Sequence, residues 1–183
     1  MSVLIGQSAP RFTAPAAFPG ETASSPVRMV SLADYVGRWL LFFWYPNDFT
    51  FVCPTEILAF SDRSEEFEDA ETDILAASVD SVYSHRAWAM TPREANGITG
   101  VQFPIVSDTT HQIARNWGVF LEREGISLRG LFIVDPDGIV QYAAAHNLNV
   151  GRSVDETLRV LAALQSGGLC GSDWKPGQKA LTL

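Results

Sequence analysis

Apolar residues along the chain fall into short runs that alternate with segments of helical periodicity. Residues 38–45 are almost entirely aromatic and aliphatic, a run too short for a buried helix and typical of a strand covered on both faces. From Cys53 to Phe67, apolar residues recur at spacings of three and four, which predicts one helix with Cys53 at its N-terminus. Residues 73–79 and 81–90 repeat the order of strand and helix.

The second half of the chain predicts a hairpin and a closing helix. Residues 135–138 read Asp-Pro-Asp-Gly, a tight-turn sequence between the apolar runs 128–134 and 139–145, so the two runs are expected to pair antiparallel. Ser153 and Glu156 form a capping box at the start of a helix that is expected to stop at a Gly-Gly pair.

Weaker signals complete the predicted fold. Residues 1–30 are rich in Pro and Ala and are expected to be a leading loop, with residues 12–14 as a short edge strand. Residues 104–106 predict a further strand, and Thr110 is expected to cap a short helix. Together, the elements describe an α/β fold in which helices flank a mixed central sheet, as in the thioredoxin-like folds.

Length and composition describe one folded domain. The chain has 183 residues and a mass of 20.0 kDa, with 46% hydrophobic and 19% charged residues, which is untypical of disordered proteins. We expect the domain to span residues 1–166 and an irregular tail to span residues 167–183. The formal net charge of -8 disfavours binding to the phosphate backbone of nucleic acids.

The sequence also bears on location. No apolar run approaches the roughly 20 residues that a membrane-spanning helix needs, so no membrane association is expected. The N-terminal sequence lacks the basic segment and the long apolar stretch of a secretory signal, which makes the cytoplasm the expected location.

Cys53 and Cys170 are the only cysteines, and they fit neither a disulfide scaffold nor a zinc site with paired ligands. Few cysteines suit a reducing compartment.

The segment between the first predicted strand and the helix after it carries the most specific motif. Residues 45–56 read Tyr-Pro-Asn-Asp-Phe-Thr-Phe-Val-Cys-Pro-Thr-Glu. This segment closely resembles the active-site segment of the typical two-cysteine peroxiredoxins, whose Pro-x-x-x-Thr-x-x-Cys motif falls on Pro46, Thr50 and Cys53. Further matching segments run nearly the length of the chain, at residues 78–88, 128–135 and 151–156.

The resemblance implies a thiol peroxidase with assigned roles for several side chains. Cys53 is implied to be the peroxidatic cysteine, which attacks the peroxide, and Cys170 the resolving cysteine. Thr50 and Arg129 are implied to orient the peroxide, and Pro46 to shield the thiolate from water.

The chemistry of thiols supports the same residues. A thiolate reacts with peroxide far better than a thiol does, and a helix N-terminus together with a nearby guanidinium favours the thiolate form of Cys53. A more acidic thiol is also a weaker nucleophile, so fast reduction requires donors that stabilise the leaving oxygen in the transition state. Thr50 and Arg129 are suitable donors. By resemblance, Glu56 and Arg152 form the pair that holds Arg129 in place.

The tail cysteine and two other residues leave more than one interpretation open. The family usually has Pro directly after the resolving cysteine, and here Gly171 follows Cys170; Trp174 still matches the Cys-Pro-x-x-Trp pattern. We favour the resolving role over an incidental free thiol. His85 and Trp88 are interpreted as packing and local hydrogen bonding, without a direct part in the chemistry.

The implied cycle needs no metal, haem or flavin. Cys53 converts a hydroperoxide to water or alcohol and becomes a sulfenic acid, the partner subunit's Cys170 condenses with it to a disulfide, and an external reductant restores both thiols. The resemblance implies an obligate homodimer that can assemble into rings of dimers, and a reductant that is thioredoxin or a dedicated flavoprotein disulfide reductase. Two alternatives stay open: a redox-regulated holdase chaperone or peroxide sensor, and a thioredoxin-fold binding module without activity. The second is disfavoured because Thr50, Cys53 and Arg129 are all present.

Overall fold

The structure is a computed structural model that describes residues 4–182. The first three residues of the predicted domain and Leu183 lie outside the described residues. By its internal contacts, the chain divides into a larger unit that ends at Arg152 and a smaller unit that begins at Ser153. The predicted boundary after residue 166 falls inside the smaller unit.

A mixed seven-stranded sheet forms the centre of the larger unit. Its strands, in sequence order, are β1 (Thr13–Ala17), β2 (Arg28–Ser31), β3 (Trp39–Trp44), β4 (Thr72–Ser78), β5 (Ile105–Ser107), β8 (Arg129–Val134) and β9 (Val140–His146). The spatial order is β2-β1-β5-β4-β3-β8-β9, with β3, β4 and β5 parallel and the remaining pairs antiparallel. A small separate hairpin consists of β6 (Phe120–Leu121) and β7 (Ile126–Ser127). The prediction of a thioredoxin-like α/β fold with a mixed sheet is confirmed.

The aromatic run predicted as a core strand is β3, which lies between β4 and β8. Phe42 is paired with Leu75 on one side and with Phe132 on the other, and all three side chains are buried. Alternate residues of β3 point to opposite faces, so an uninterrupted apolar sequence lets both faces of the sheet carry a core.

Helices cover the sheet and connect its strands. Those of the larger unit are α1 (Val52–Asp62), α2 (Ser64–Asp69), α3 (Val82–Met90) and α4 (Gln112–Asn116), with 3-10 turns at Leu32–Tyr35 and Arg93–Ala95. Helix α1 packs on β3 through Phe60, whose ring stacks on Phe43 at a centroid distance of 4.9 Å. Within residues 4–182, no helix has the length and apolar character that crossing a bilayer requires.

The smaller unit begins with helix α5 (Val154–Gln165). The Ser153 hydroxyl accepts a hydrogen bond from the Glu156 backbone N–H at 3.2 Å, which is one of the two hydrogen bonds of the predicted capping box. The Glu156 carboxylate binds Arg159 instead of the Ser153 backbone N–H. After the helix, a backbone bridge between Leu169 and Leu181 closes the tail into a loop.

Several local predictions were wrong. The N-terminal segment is not simply a leading loop, because β1 and β2 pair there, and β1 lies inside the sheet, between β2 and β5, not at its edge. The helix predicted to run to Phe67 breaks at Arg63, where the backbone leaves helical geometry. His111 is the residue that directly precedes α4, although the Thr110 hydroxyl accepts a hydrogen bond from the Gln112 backbone N–H at 3.4 Å. An Ala- and Pro-rich strand has no alternating pattern, so these strand pairings depend on tertiary contacts that no local signal reports.

Candidate active site

Cys53 lies in the first turn of α1, directly after the loop that leaves β3. Its side chain is fully buried. Phe51 precedes the helix and provides no side-chain cap for the first backbone N–H groups. These N–H groups and the helix dipole make the start of α1 a favourable place for a negative charge.

Arg129 contacts the sulfur of Cys53. Its Nη1 lies 3.4 Å from Cys53 Sγ and donates to Glu56 Oε2 at 2.5 Å, and its Nε donates to the Leu148 carbonyl at 2.8 Å. Arg129 begins β8, which runs antiparallel to β3, so strand pairing places it beside the end of β3 where the loop to α1 starts. The guanidinium is therefore held on more than one side before any substrate arrives.

Glu56 connects Arg129 to a second buried arginine. Glu56 Oε1 accepts from both Nε and the backbone N–H of Arg152, at 2.7 and 2.8 Å, and Arg152 Nη1 donates to the Gly130 carbonyl at 2.5 Å. Burial lowers the pKa of Arg152, and the Glu56 carboxylate opposes that shift. Among the described residues, Arg152 Nη2 has no hydrogen-bond partner.

The charges of this buried cluster do not cancel by themselves. Two guanidinium groups, those of Arg129 and Arg152, face one carboxylate, that of Glu56, and all three side chains are buried. An unbalanced buried charge is costly. A negative charge at the Cys53 sulfur, which lies 3.4 Å from Arg129 Nη1, would bring the cluster to neutrality.

The remaining residues predicted for the site lie in two places. Pro46 is buried and Thr50 half-buried on the loop between β3 and α1, and the Thr50 hydroxyl donates to the Asn47 carbonyl at 3.0 Å. The structure thus brings Cys53, Glu56, Arg129 and Arg152 into contact and places Pro46 and Thr50 on the adjoining loop.

Cys170 belongs to the smaller unit and lies at the carboxyl end of α5. Its sulfur is 3.4 Å from the Ser166 hydroxyl and 3.8 Å from the Ala163 carbonyl oxygen. Ser166 Oγ already donates to the Ala163 carbonyl and accepts from the Gly168 backbone N–H, so it is available to Cys170 as an acceptor. Both cysteines are free thiols in this structure.

A buried polar cluster beneath the loop was not expected from the sequence. Asp48 accepts from the Tyr45 hydroxyl at 2.7 Å and lies 2.9 Å from His85 Nδ1, while His85 Nε2 lies 3.2 Å from the Val106 carbonyl. His85 forms the local hydrogen bonds expected from the sequence, and its partner Asp48 lies on the loop that carries Thr50. The sequence does not predict this contact, because Asp48 and His85 lie far apart in the chain and only the packing of α3 against the loop brings them together.

Asp80 completes this cluster and gives a test by pH. Its Oδ2 accepts from the Asp48 backbone N–H at 3.0 Å and from Ser78 Oγ at 2.7 Å. Burial raises the pKa of Asp80, and the nearby Asp48 charge raises it further. A raised pKa in the folded state means that this carboxyl contributes stability in acid and loses that contribution as the pH rises through its folded value.

We therefore expect Asp80→Asn to gain stability relative to wild type as the pH rises from about 4 to about 7, because the amide keeps an acceptor oxygen without the charge. Thermal unfolding of both proteins across this range measures the difference. Asp137→Asn, an exposed carboxyl in the turn between β8 and β9, is the control. A difference between Asp80→Asn and wild type that does not change with pH would contradict this interpretation.

The candidate site brings together a thiol, a carboxylate and two guanidinium groups. Within residues 4–182, no cluster of three or more His, Cys, Asp or Glu side chains is arranged to hold a metal ion. What the arrangement offers chemically is a buried sulfur at a helix N-terminus, a fixed guanidinium beside it and a hydroxyl on the preceding loop. These are the parts that a nucleophilic thiolate and a polar leaving group require.

Comparisons with known proteins agree with this geometry. The family model described as AhpC/TSA family matches residues 5–143. The chain is 48% identical to a putative peroxiredoxin of Bacillus subtilis (strain 168), YkuU, over 97% of this chain and 98% of that protein. It is 50% identical to the chloroplastic 2-Cys peroxiredoxin BAS1 of Hordeum vulgare, over 97% of this chain and 85% of that protein.

Solved structures give the same result. The crystal structure of reduced 2-Cys peroxiredoxin from Plasmodium vivax superposes with a TM-score of 0.91 at 36% sequence identity, covering 98% of this chain and 93% of that one. The crystal structure of Enterococcus faecalis AhpC superposes with a TM-score of 0.82 at 31% identity, covering 98% and 99%. The chain therefore belongs to the AhpC/TSA family and is a peroxiredoxin, an enzyme that reduces peroxides with a cysteine thiol.

Proposed function

We propose that this peroxiredoxin reduces hydrogen peroxide and organic hydroperoxides through a sulfenic acid on Cys53, which Cys170 then resolves as a disulfide between subunits. The observation that carries the proposal is the opposite setting of the two cysteines. Cys53 lies at the amino end of a helix beside a guanidinium donor, whereas Cys170 lies at the carboxyl end of a helix among oxygen acceptors.

These settings give the two sulfurs different partners. A guanidinium donor and the amino end of a helix stabilise negative charge on a sulfur nucleophile, and Cys53 has both beside it. The Cys170 sulfur lies beside an oxygen acceptor, the Ala163 carbonyl, and in its contact with the Ser166 hydroxyl either atom can be the donor. We therefore expect peroxide to react at Cys53, and Cys170 to react afterwards with the sulfenic acid.

The first step is a two-electron transfer. The Cys53 thiolate attacks the nearer peroxide oxygen, the S–O bond forms as the O–O bond breaks, and the leaving oxygen takes up a proton to give water or an alcohol. Arg129 and the Thr50 hydroxyl stabilise the charge that develops on the peroxide oxygens. Pro46 limits the access of water to the sulfur, and the Glu56–Arg152 pair keeps the Arg129 guanidinium in place.

The second step releases water and leaves a disulfide. The Cys170 sulfur attacks the Cys53 sulfenic acid, and it must first leave its contacts with Ser166 and Ala163. An external dithiol, thioredoxin or a flavoprotein disulfide reductase, then supplies the two electrons that restore both thiols. The presence of only two cysteines in the sequence suits a reducing compartment such as the cytoplasm.

The position of strand β9 at one edge of the sheet supports the proposal that the protein forms a homodimer. Strand β9 is the last strand in the order and spans seven residues; beyond Val140, whose backbone binds Gly6 and Gln7, no further strand of residues 4–182 pairs with its outer side. A second copy of β9 can pair with such an edge. The dimer can assemble further into a ring of dimers.

The arrangement of the disulfide is tested on a non-reducing gel. We expect protein treated with one equivalent of peroxide to run as a covalent dimer and to return to the monomer position with dithiothreitol, because the two sulfurs that join belong to different subunits. Cys170→Ser is the control and should stay monomeric. A monomer band without free thiols after oxidation would show that the bridge lies within one subunit.

A further inference from the structure

The loop that carries Thr50 contains a strained residue. Asp48 and Phe49 form its turn, and Phe49 has a φ of 55°, in the left-handed region. Turns that need a positive φ at this position normally use Gly or Asn, since a side chain such as Phe crowds its own backbone there. A bulky aromatic residue at such a position, next to a candidate catalytic group, requires a reason.

Helix α3 holds the turn on both of its sides. On the inner side, the Asp48 carboxylate contacts His85. On the outer side, the Phe49 ring lies on Trp88 with a centroid distance of 6.0 Å. Trp88 is itself fixed, since it is fully buried and its Nε1 donates to the Asn96 carbonyl at 2.6 Å. The turn is therefore anchored to two residues one helical turn apart on a single element.

Burial alone does not account for Phe49. Its side chain is 52% exposed, so it recovers only part of the free energy that burying an aromatic ring would provide. The strained backbone opposes even that gain. A glycine would adopt the same turn without strain, so what the phenylalanine adds is its ring contact with Trp88.

We propose that Phe49 is a positioning residue of the peroxide reaction: its ring, docked on Trp88, fixes the left-handed turn that aims the Thr50 hydroxyl. Thr50 follows Phe49 directly, and its hydroxyl donates back across the turn to Asn47. A rotation about the Phe49 backbone therefore moves the hydroxyl, while Arg129 and the start of α1 are held by other contacts. The proposal rests on the peroxide-orienting role proposed for Thr50.

Three variants test the ring and the strain separately. Phe49→Ala removes the ring and keeps a Cβ in the strained region, whereas Phe49→Gly removes both. Phe51→Ala is the matched control, because Phe51 is 81% exposed on the same loop, has a φ of -102° and has no ring contact among the described residues. Two rates are measured on reduced protein: oxidation of Cys53 by hydrogen peroxide, and alkylation of Cys53 by iodoacetamide.

We expect both Phe49 variants to lose about 10- to 100-fold in the peroxide rate, since a small displacement of an orienting group has effects of this size. Their alkylation rate should stay within about twofold of wild type, because iodoacetamide reports the thiolate and does not need Thr50. Phe49→Gly should melt at a higher temperature than Phe49→Ala, because glycine relieves the strain. Phe51→Ala should leave both rates unchanged.

Three outcomes would overturn the proposal. The first is a wild-type peroxide rate in Phe49→Gly, which would mean that the ring is not needed. The second is an equal fall in both rates, which would indicate general loss of the site's structure. The third is a loss that disappears at protein concentrations where light scattering shows the wild-type assembly, since the ring would then serve subunit association. Failure of the role of Thr50 itself is recognised separately, by a wild-type peroxide rate in Thr50→Val.

Discussion

Replacing Cys53 by serine is expected to abolish peroxide reduction, whereas replacing Cys170 by serine is expected to leave one turnover per subunit. Serine cannot form a sulfenic acid, so the first variant has no group to oxidise. The second variant keeps Cys53 with Arg129 beside it and lacks only the thiol that resolves the intermediate. Peroxide consumption with a reductant system, compared with consumption by reduced protein alone, measures both effects.

The intermediate provides the control. After one equivalent of peroxide, a dimedone-type reagent should label Cys170→Ser at Cys53, and peptide mass spectrometry locates the label. The Cys53→Ser variant should remain unlabelled under the same conditions. Label on Cys170 in Cys53→Ser, or sustained turnover by that variant, would reverse the proposed roles of the two cysteines.

Replacing Glu56 by glutamine is expected to be the most damaging change to stability near the site. The amide preserves shape but removes the carboxylate that Arg129 and Arg152 share, so that only a charge on the Cys53 sulfur could offset the two buried guanidinium groups. Removing one partner of a buried ion pair typically costs about 3–5 kcal/mol. Urea unfolding of the reduced protein measures the loss in the free energy of unfolding.

An exposed ion pair is the matched control for this experiment. Asp62 binds Arg93 at 2.9 Å with more than half of the Asp62 side chain exposed. Asp62→Asn should change the free energy of unfolding little, because solvent screens such pairs. Equal losses in Asp62→Asn and Glu56→Gln would mean that the buried cluster has no special contribution to stability.

The elements predicted well from the sequence are those with a strong local pattern. The aromatic run of β3 and the hairpin of β8 and β9 around Asp-Pro-Asp-Gly were recognisable, because burial on both faces and turn geometry each restrict the residue types. Strand β2 was missed and β1 was expected only as a short edge strand at residues 12–14, since Ala and Pro supply little apolar contrast and the pairing with β5 comes from the fold. The helix break at Arg63 was not predicted, because no Gly or Pro lies next to it in the sequence.

The residues of the candidate site also differ in how well the sequence predicts them. A contiguous motif contains Pro46, Thr50 and Cys53, so a single sequence segment predicts them. Arg129 and Arg152 reach Glu56 only through strand pairing and chain reversal, and only the family resemblance suggested that they meet. The Asp48–His85 contact and the left-handed turn at Phe49 depend on the packing of α3, which periodicity alone does not specify.

The charge count of the buried cluster links the oxidation state of the sulfur to local folding. With Cys53 as a thiolate, the two guanidinium groups and the Glu56 carboxylate sum to zero, whereas a protonated sulfenic acid or a disulfide leaves one positive charge buried. The reduced state is therefore the one that the closed site accommodates best. In the proposed cycle, the excess charge would favour opening of the first turn of α1 after peroxide has reacted, since water could then solvate it. The cluster that holds the reduced sulfur would thus also help to expose the oxidised sulfur to the proposed resolving cysteine.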